Sequence, residues 1–151
     1  MVKILFVCHG NICRSPMAAF VMKDLVKKAG LEEQFHIASA ATSAEEIGNP
    51  VYPPARRELH KHGIGCGGHA ARRITPEDYS RWDYLVGMDR ANLSSMRRMW
   101  DGDPQGKVHA LLDFAGRPGQ DVADPWYTGD FEATWRDVLS GCRGLLEQLG
   151  L

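Results

Sequence analysis

A cysteine, a glycine and an arginine lie within the short segment VCHGNICRSP, residues 7–16. The segment follows a continuous apolar run at residues 2–7, which is typical of a strand in a parallel sheet covered on both faces. Ser15 and Pro16 are typical of the start of a helix, with serine as the N-cap and proline as the first helical residue. The segment is therefore predicted to be a loop that joins a strand to a helix.

A loop of this kind can bind a phosphate group. Its backbone N–H groups can form an anion-binding nest, and the N-terminus of the following helix reinforces that nest. Gly10 permits a tight bend, and the guanidinium of Arg14 can donate to two phosphate oxygens. The loop lacks the Gly-Lys-Ser/Thr ending of a nucleotide-binding P-loop. The predicted phosphate-binding loop comprises Cys8, His9, Gly10, Asn11, Ile12, Cys13, Arg14 and Ser15.

Cys8 is the predicted nucleophile. The positive field that attracts a phosphate also favours the thiolate form of a cysteine, and a thiolate aimed at phosphorus can accept a phosphoryl group. The alternative is a buried cysteine at the end of a strand, with Arg14 exposed on the helix. The agreement of the strand, turn and helix signals around the loop favours the catalytic interpretation. His9 is not expected to be a base, because adjacent residues on a curled loop point apart.

The rest of the chain alternates predicted strands with predicted helices, which is typical of an α/β fold with a parallel sheet. In such sheets the active site lies beyond the carboxyl ends of the strands, and Cys8, Asp89 and the loop containing Asp124 are expected at that edge. The predicted strands are 2–7, 35–40, 83–88 and 108–112. The predicted helices are 16–29, 55–62, a short one starting near 75, 90–100 and 131–149, and residues 113–129 are predicted to be a loop.

Composition narrows the class of protein. The 151 residues are expected to form one domain, 1–151, and the net charge of −1 gives no basis for nucleic-acid or membrane partners. The four cysteines are too sparse for a disulfide framework, so we expect reduced thiols and a cytoplasmic protein. The cysteines and histidines do not group as metal ligands, and no cofactor is expected. No segment argues for an obligate dimer, so a monomer is expected.

The segment VCHGNICRSP, with its Cys-x5-Arg spacing, resembles the signature of low-molecular-weight protein tyrosine phosphatases. Further segments follow in that family's order: SAATS (39–43), IGNP (47–50), HGI (62–64), HAARRIT (69–75), MDRANL (88–93) and DPWY (124–127). The resemblance covers essentially the whole chain. It implies a flavodoxin-like, four-stranded parallel sheet in the order 2-1-3-4 with helices on both faces. It also implies metal-free hydrolysis of phosphotyrosine in proteins, and of small aryl phosphates, through a phosphocysteine intermediate.

The resemblance implies that Asp124 is the general acid. In the family, the aspartate of the Asp-Pro-aromatic-aromatic motif protonates the leaving phenolate and then activates the attacking water. The alternative is a turn aspartate before proline. Trp126 and Tyr127 are expected to wall the substrate cleft, together with Ile12 and Glu45. Because Glu45 stands where the family often has an aromatic residue, we expect weaker stacking and less acceptance of acidic phosphopeptides.

Supporting roles are expected for further polar residues around the loop. The Ser15 hydroxyl can stabilise the Cys8 thiolate, besides capping the helix. Asp89 is expected either to support Arg14 or to cap the next helix.

By resemblance, Asn11 braces the loop through Ser39 and His69. Cys13 lies on the same loop as Cys8 and is a candidate redox partner, because a disulfide would shield the nucleophile from over-oxidation.

Three other functions remain as alternatives. Arsenate reductase shares the fold but uses two further closely spaced cysteines, which Cys66 and Cys142 do not supply. Phosphoarginine phosphatases tend to carry threonine where Ile12 stands, and an apolar residue there favours an aryl substrate. A non-catalytic phosphopeptide-binding module could lose the nucleophile or the general acid, and both are present. Neither the physiological substrate nor a role for Cys66 follows from the sequence.

Activity should not depend on divalent metal ions. Arg14 and the backbone amides can supply the positive field that magnesium supplies in other phosphoryl-transfer enzymes. Hydrolysis of p-nitrophenyl phosphate, measured with and without EDTA, tests this expectation. Activity that EDTA removes and a divalent ion restores would contradict the metal-free mechanism.

Overall fold

A four-stranded parallel sheet forms the centre of the protein in the computed structural model, which describes residues 1–150. Its strands are β1 (Val2–Cys8), β2 (Phe35–Ala41), β3 (Tyr84–Gly87) and β4 (Val108–Ala110). Their order is β2-β1-β3-β4, and every neighbouring pair is parallel. The predicted fold class and strand order are therefore confirmed.

Strand β1 is the buried centre of the sheet. Ile4 and Phe6 face one hydrophobic core, while Leu5 and Val7 face another, and all four side chains are fully buried. This two-sided burial explains why the strand reads as a continuous apolar run.

Helices cover both faces of the sheet, as predicted. The helices are α1 (Arg14–Lys28), α2 (Pro53–Lys61), α3 (Asp78–Arg81), α4 (Arg90–Met99), α5 (Pro125–Thr128) and α6 (Phe131–Gln148), with 3-10 turns at Glu32–Gln34 and Leu111–Asp113. Residues of α1, α2 and α6 pack in the core with Ile4 and Phe6, and residues of α3 and α4 pack in the core with Leu5 and Val7. Within residues 1–150, no helix is both long and apolar enough to cross a membrane.

Three local predictions were wrong. The predicted strand 108–112 is shorter in the structure, because β4 ends at Ala110 and a 3-10 turn follows it at Leu111–Asp113. Helix α1 begins at Arg14 with Cys13 in the N-cap position, so Ser15 lies inside the first turn and does not cap the helix. The serine hydroxyl is instead used in the phosphate-binding loop, as described below. The region predicted as a loop at 113–129 contains the short helix α5, which Asp124 caps by accepting a hydrogen bond from the Trp126 N–H.

Two glycines let α6 lie against the turn that follows β4. A Cβ atom at Gly144 would stand 1.9 Å from the carbonyl oxygen of Phe114, and one at Gly141 would stand 2.4 Å from Cγ of Leu111. Neither glycine has a positive φ, so close packing and not backbone conformation requires them. This contact fixes the start of the segment that leads to Asp124.

Replacing Gly144 with alanine should destabilise the protein. In an unobstructed helix interior, glycine to alanine stabilises by about 1 kcal/mol, whereas overpacking against the Phe114 carbonyl should cost about 2 kcal/mol. Urea unfolding measures the change, with the exposed Ser140→Ala in the same helix as the control. A Gly144→Ala variant at least as stable as the wild type would contradict the close contact.

Candidate active site

Residues 9–13 form the turn between β1 and α1 at the carboxyl edge of the sheet, and the phosphate-binding loop also includes Cys8 at the end of β1 and Arg14 and Ser15 at the start of α1. Neighbouring backbone holds both ends of the turn. The Cys8 carbonyl accepts from the Thr42 N–H at 2.9 Å, and the Ile12 carbonyl accepts from the Tyr52 N–H at 2.9 Å. The turn is thereby fixed to the end of β2 and to the segment that precedes α2.

The Cys8 sulfur lies at the floor of this turn and is surrounded by donors. Cys8 is 3% exposed, and its Sγ atom accepts from the Asn11 N–H at 3.3 Å. The Ser15 hydroxyl lies 3.0 Å from the same sulfur. Because the Ser15 oxygen already accepts from Asn11 Nδ2 at 2.8 Å, its own proton can be donated to Cys8. This arrangement suits a thiolate.

Asn11 holds the apex of the turn. Its φ of 60° lies in the left-handed region, which asparagine tolerates better than most residues. Its side chain donates to Ser39 Oγ at 2.9 Å and accepts from the Arg72 N–H at 3.2 Å. Its carbonyl lies 2.7 Å from His69 Nε2, so that nitrogen carries a proton and donates. Burial lowers the pKa of His69 and so favours a neutral ring, while the hydrogen bond to the Asn11 carbonyl opposes this shift.

Arg14 is buried and is held by three acceptors. Its Nη1 atom donates to Asp89 Oδ2 at 2.7 Å and to the Val122 carbonyl at 3.0 Å, and Nη2 lies 3.4 Å from Asp124 Oδ2. Burial alone would lower the pKa of Arg14, but the charge of Cys8 and the carboxylates of Asp89 and Asp124 raise it overall. The guanidinium is therefore a fixed cation beside the thiol.

The two carboxylates near Arg14 divide their oxygens in the same way. Oδ1 of Asp89 accepts from the Asn92 N–H at 2.7 Å and caps α4, while Oδ2 accepts from Arg14. Oδ1 of Asp124 accepts from the Trp126 N–H at 3.0 Å and caps α5, while Oδ2 lies toward Arg14. For Asp89, both interpretations that the sequence left open are seen in the structure, because this residue contacts Arg14 and also caps α4. Because its contact with Arg14 is longer, the Asp124 carboxyl group interacts more weakly with the guanidinium than Asp89 does.

A cavity of about 220 Å³ opens above the cysteine. It is lined by Cys8, His9, Gly10, Ile12, Cys13, Arg14, Glu45, Glu46, Asp124, Trp126 and Tyr127. Trp126 is 54% and Tyr127 84% exposed, so both rings are available to a ligand at the mouth. Glu45 lies 3.1 Å from His9 Nε2 at the exposed rim. All four predicted wall residues thus line one cavity.

The other cysteines lie in different settings. Cys13 is buried, and burial raises its pKa to about 12, with further contributions from the charges of Cys8 and Asp124. Cys142 lies in the core, where its thiol donates to the Ala18 carbonyl at 3.6 Å. Cys66 lies in the core on the loop after α2. All four cysteines are free thiols in the structure.

No group of three or more His, Cys, Asp or Glu side chains in residues 1–150 is arranged to hold a metal ion. The arrangement at the cavity instead combines a thiol, a fixed guanidinium and a carboxyl group. Together these groups can bind an oxyanion, attack it and transfer a proton.

Several contributors to the site were missed by sequence reasoning. The Arg72 N–H donates to Asn11, and the Val122 carbonyl accepts from Arg14. Glu46 lines the cavity, and the Tyr52 N–H donates to the Ile12 carbonyl of the loop. Backbone groups carry no residue-type signal. Glu46 could have been found from its position beside Glu45.

Comparison with known proteins gives consistent results. The family model described as "Low molecular weight phosphotyrosine protein phosphatase" matches residues 3–150. The chain is 38% identical over 150 residues to low molecular weight protein-tyrosine-phosphatase YfkJ of Bacillus subtilis, covering 99% of this chain and 96% of the relative. It is 37% identical over 149 residues to the human low molecular weight phosphotyrosine protein phosphatase, covering 96% of this chain and 94% of the relative.

Solved structures agree with these relatives. The crystal structure of YfkJ matches with a TM-score of 0.94 at 38% identity, covering 99% of this chain and 95% of that chain. The crystal structure of DARP, drosophila arginine phosphatase, matches with a TM-score of 0.91 at 29% identity, covering 99% of both chains.

Iodoacetate at neutral pH should alkylate Cys8 before the other cysteines. The thiolate is the reactive form, and burial raises the pKa of Cys13, Cys66 and Cys142. Inorganic phosphate should slow the reaction by occupying the loop. Peptide mapping by mass spectrometry identifies the modified residue, with Cys8→Ser as the control that should stay unlabelled over the same time. Equal labelling of Cys13 would contradict this account.

Proposed function

The chain belongs to the low molecular weight phosphotyrosine protein phosphatase family and is a protein tyrosine phosphatase, and on that premise we propose that Cys8, Arg14 and Asp124 carry out its chemistry. One observation supports this proposal above the others. The Cys8 sulfur, the Arg14 guanidinium and the Asp124 carboxyl group line the same cavity, with Arg14 in contact with Asp124. A nucleophile, an oxyanion clamp and a proton donor are thus within reach of one phosphate group.

Binding places the phosphate above the Cys8 sulfur. In this proposal, backbone N–H groups of the loop and of the first turn of α1 donate to the phosphate oxygens, and Arg14 donates to them through its planar guanidinium. Because Asp89 and Val122 already fix Arg14, little side-chain entropy is lost when the substrate binds. An aryl group then extends between Ile12 and the aromatic pair Trp126 and Tyr127, toward the open mouth.

In the first step the Cys8 thiolate attacks phosphorus. A sulfur–phosphorus bond forms, the bond from phosphorus to the phenolic oxygen breaks, and Asp124 gives its proton to that oxygen. The donors from Ser15 and Asn11 stabilise the thiolate before the attack.

In the second step water attacks the phosphocysteine. Asp124, now ionised, takes a proton from the water, and the sulfur–phosphorus bond breaks to release inorganic phosphate. The departing sulfur recovers its negative charge, and Ser15 and Asn11 stabilise it again. The same carboxyl group serves as acid and then as base. Its contact with Arg14 is long, at 3.4 Å, so it can gain and lose a proton.

We further propose that the substrates are phosphotyrosine-containing proteins or small aryl phosphates, that the protein acts as a monomer and that it works in the cytoplasm. A reducing compartment suits the chemistry, because Cys8 and Cys13 must remain thiols for Cys8 to attack phosphorus. The rim carboxylates Glu45 and Glu46 give the mouth negative charge, which disfavours acidic peptides.

A panel of phosphopeptides tests the substrate class. Phosphotyrosine peptides should be hydrolysed faster than phosphoserine and phosphoarginine peptides of the same sequence. Cys8→Ser should abolish hydrolysis and still bind vanadate or inorganic phosphate, because the loop and Arg14 remain. Faster release from phosphoarginine would favour the activity named for the drosophila structure, and turnover by Cys8→Ser would exclude Cys8 as the nucleophile.

Asp124→Asn should slow the reaction according to the leaving group. The kcat/KM for phenyl phosphate should fall about 100-fold, because phenolate needs a proton. That for p-nitrophenyl phosphate should change little, because nitrophenolate departs without one. Hydrolysis of the phosphocysteine should also be slowed, giving a burst of nitrophenol in rapid mixing. Equal losses for both substrates without a burst would make Asp124 a structural turn residue.

A further inference from the structure

Tyr52 lies outside the residues assigned to the reaction, yet it contacts the phosphate-binding loop. It directly precedes α2, and its N–H donates to the Ile12 carbonyl at 2.9 Å. Its half-buried side chain packs against the small cluster of buried side chains formed by Ile12, Cys13 and Ala71. Backbone and ring therefore both hold Tyr52 to the outer side of the loop.

The same ring also contacts the segment that carries Asp124. The Tyr52 ring centroid lies 4.9 Å from that of Trp126 at an interplanar angle of 53°, and 6.2 Å from that of Phe131 at 29°. Both geometries are in the range of favourable aromatic pairs. Trp126 is directly linked to the general acid, because its N–H donates to Asp124 Oδ1 at 3.0 Å.

Other contacts hold the start of this segment: the Val122 N–H donates to the Met88 carbonyl at 2.9 Å, Thr134 Oγ1 donates to the Ala123 carbonyl at 3.3 Å, and Pro125 is buried. The Trp126 ring and the Asp124 carboxyl group have fewer partners. Trp126 is 54% exposed, so a large part of its surface has no protein neighbour. The Oδ2 atom of Asp124 has only the long contact of 3.4 Å with Arg14. The Tyr52 ring thus lies between the loop that holds the phosphate and the helix α5 that Asp124 caps.

We propose that Tyr52 is a positioning residue that sets the place of the Asp124 carboxyl group relative to the oxygen of the leaving group. The inference rests on the proposed role of Asp124 as general acid. It assigns the effect to the ring, because the ring makes the contacts with Trp126 and Phe131. Loss of the ring should therefore impair proton delivery, and loss of the hydroxyl alone should not.

Leaving-group dependence separates this role from a general loss of structure. Tyr52→Ala should lower kcat/KM for phenyl phosphate about 10-fold, because a misplaced acid delivers its proton poorly. For p-nitrophenyl phosphate the change should stay within about 2-fold, since that step needs no acid. Tyr52→Phe should match the wild type for both substrates. Tyr52→Leu, which keeps apolar volume without a ring, should resemble Tyr52→Ala and serves in its place if the alanine variant does not fold.

Tyr84→Ala is the matched control. Tyr84 is also half-buried and packs against His109 and Phe114, but it lies at the opposite end of the sheet from Cys8. Tyr84→Ala should change kcat/KM for phenyl phosphate and for p-nitrophenyl phosphate by the same factor. If Tyr84→Ala reproduced the selective loss, the assignment to Tyr52 would be overturned.

A double-mutant cycle with Asp124→Asn tests the route of the effect. Once the acid is absent, adding Tyr52→Ala should lower kcat/KM for phenyl phosphate by no more than about 2-fold, because coupled residues are not additive. A further loss as large as in the wild-type background would show that Tyr52 does not act through Asp124.

Fluorescence quenching gives a readout that is independent of activity. The other three tryptophans, Trp82, Trp100 and Trp135, are buried, so acrylamide reports chiefly on Trp126. Tyr52→Ala should increase quenching, and Tyr52→Phe should not.

The combined results separate the two proposals. If Asp124→Asn shows leaving-group dependence while Tyr52→Ala changes neither quenching nor the ratio of the two kcat/KM values, the positioning role of Tyr52 is wrong and the general-acid role of Asp124 stands. If Asp124→Asn shows no such dependence, the general acid is wrong, and the role proposed for Tyr52 in proton delivery fails with it.

Discussion

The buried guanidinium of Arg14 is the constraint on which the rest of the site depends. A charge removed from water is costly unless it is paired and hydrogen-bonded, and breaking a buried pair costs about 3–5 kcal/mol. Arg14 is 2% exposed, so its partners must come from the protein. Arg14 itself follows β1, and its partners follow two other strands: Asp89 follows β3, and Val122 lies on the segment after β4. The hydrogen bonds to this one buried cation thus hold the segments that follow β1, β3 and β4 together in a single site.

The same constraint explains why two aspartates near Arg14 can differ in function. Asp89 makes the short contact and is committed to holding the cation, while its other oxygen caps α4. Asp124 makes the long contact, is more exposed and lines the cavity. A residue that must gain and lose a proton in each cycle cannot also be the main partner of a buried charge. The two aspartates are the same residue type, so they differ only in their distance from Arg14 and in their exposure to solvent.

The site also combines a rigid floor with an open wall. Asn11, in a left-handed conformation, is held by Ser39, His69 and the backbone of Arg72, so the loop is shaped for an oxyanion before one arrives. The opposite wall consists of exposed aromatic rings on a single short helix, supported through Tyr52. A preformed phosphate cradle beside an exposed aromatic wall fits a protein tyrosine phosphatase, which must hold a phosphate group and accommodate the attached ring.

The strand, the loop and the helix around Cys8 consist of neighbouring residues, and the sequence by itself determined them. The apolar run before Cys8, Gly10 and the Cys-x5-Arg spacing predicted the strand, the loop and the helix, because these signals act over neighbouring residues. The alternation of elements also predicted the parallel sheet and its active edge. Only the tertiary structure decided that Ser15 serves the thiol instead of capping α1, that Asp89 and not Asp124 is the main partner of Arg14, and that Tyr52 reaches Trp126. The Asp89 and Tyr52 outcomes depend on distances between residues remote in the chain, and the Ser15 outcome depends on where the backbone of α1 begins, so residue type alone cannot encode them.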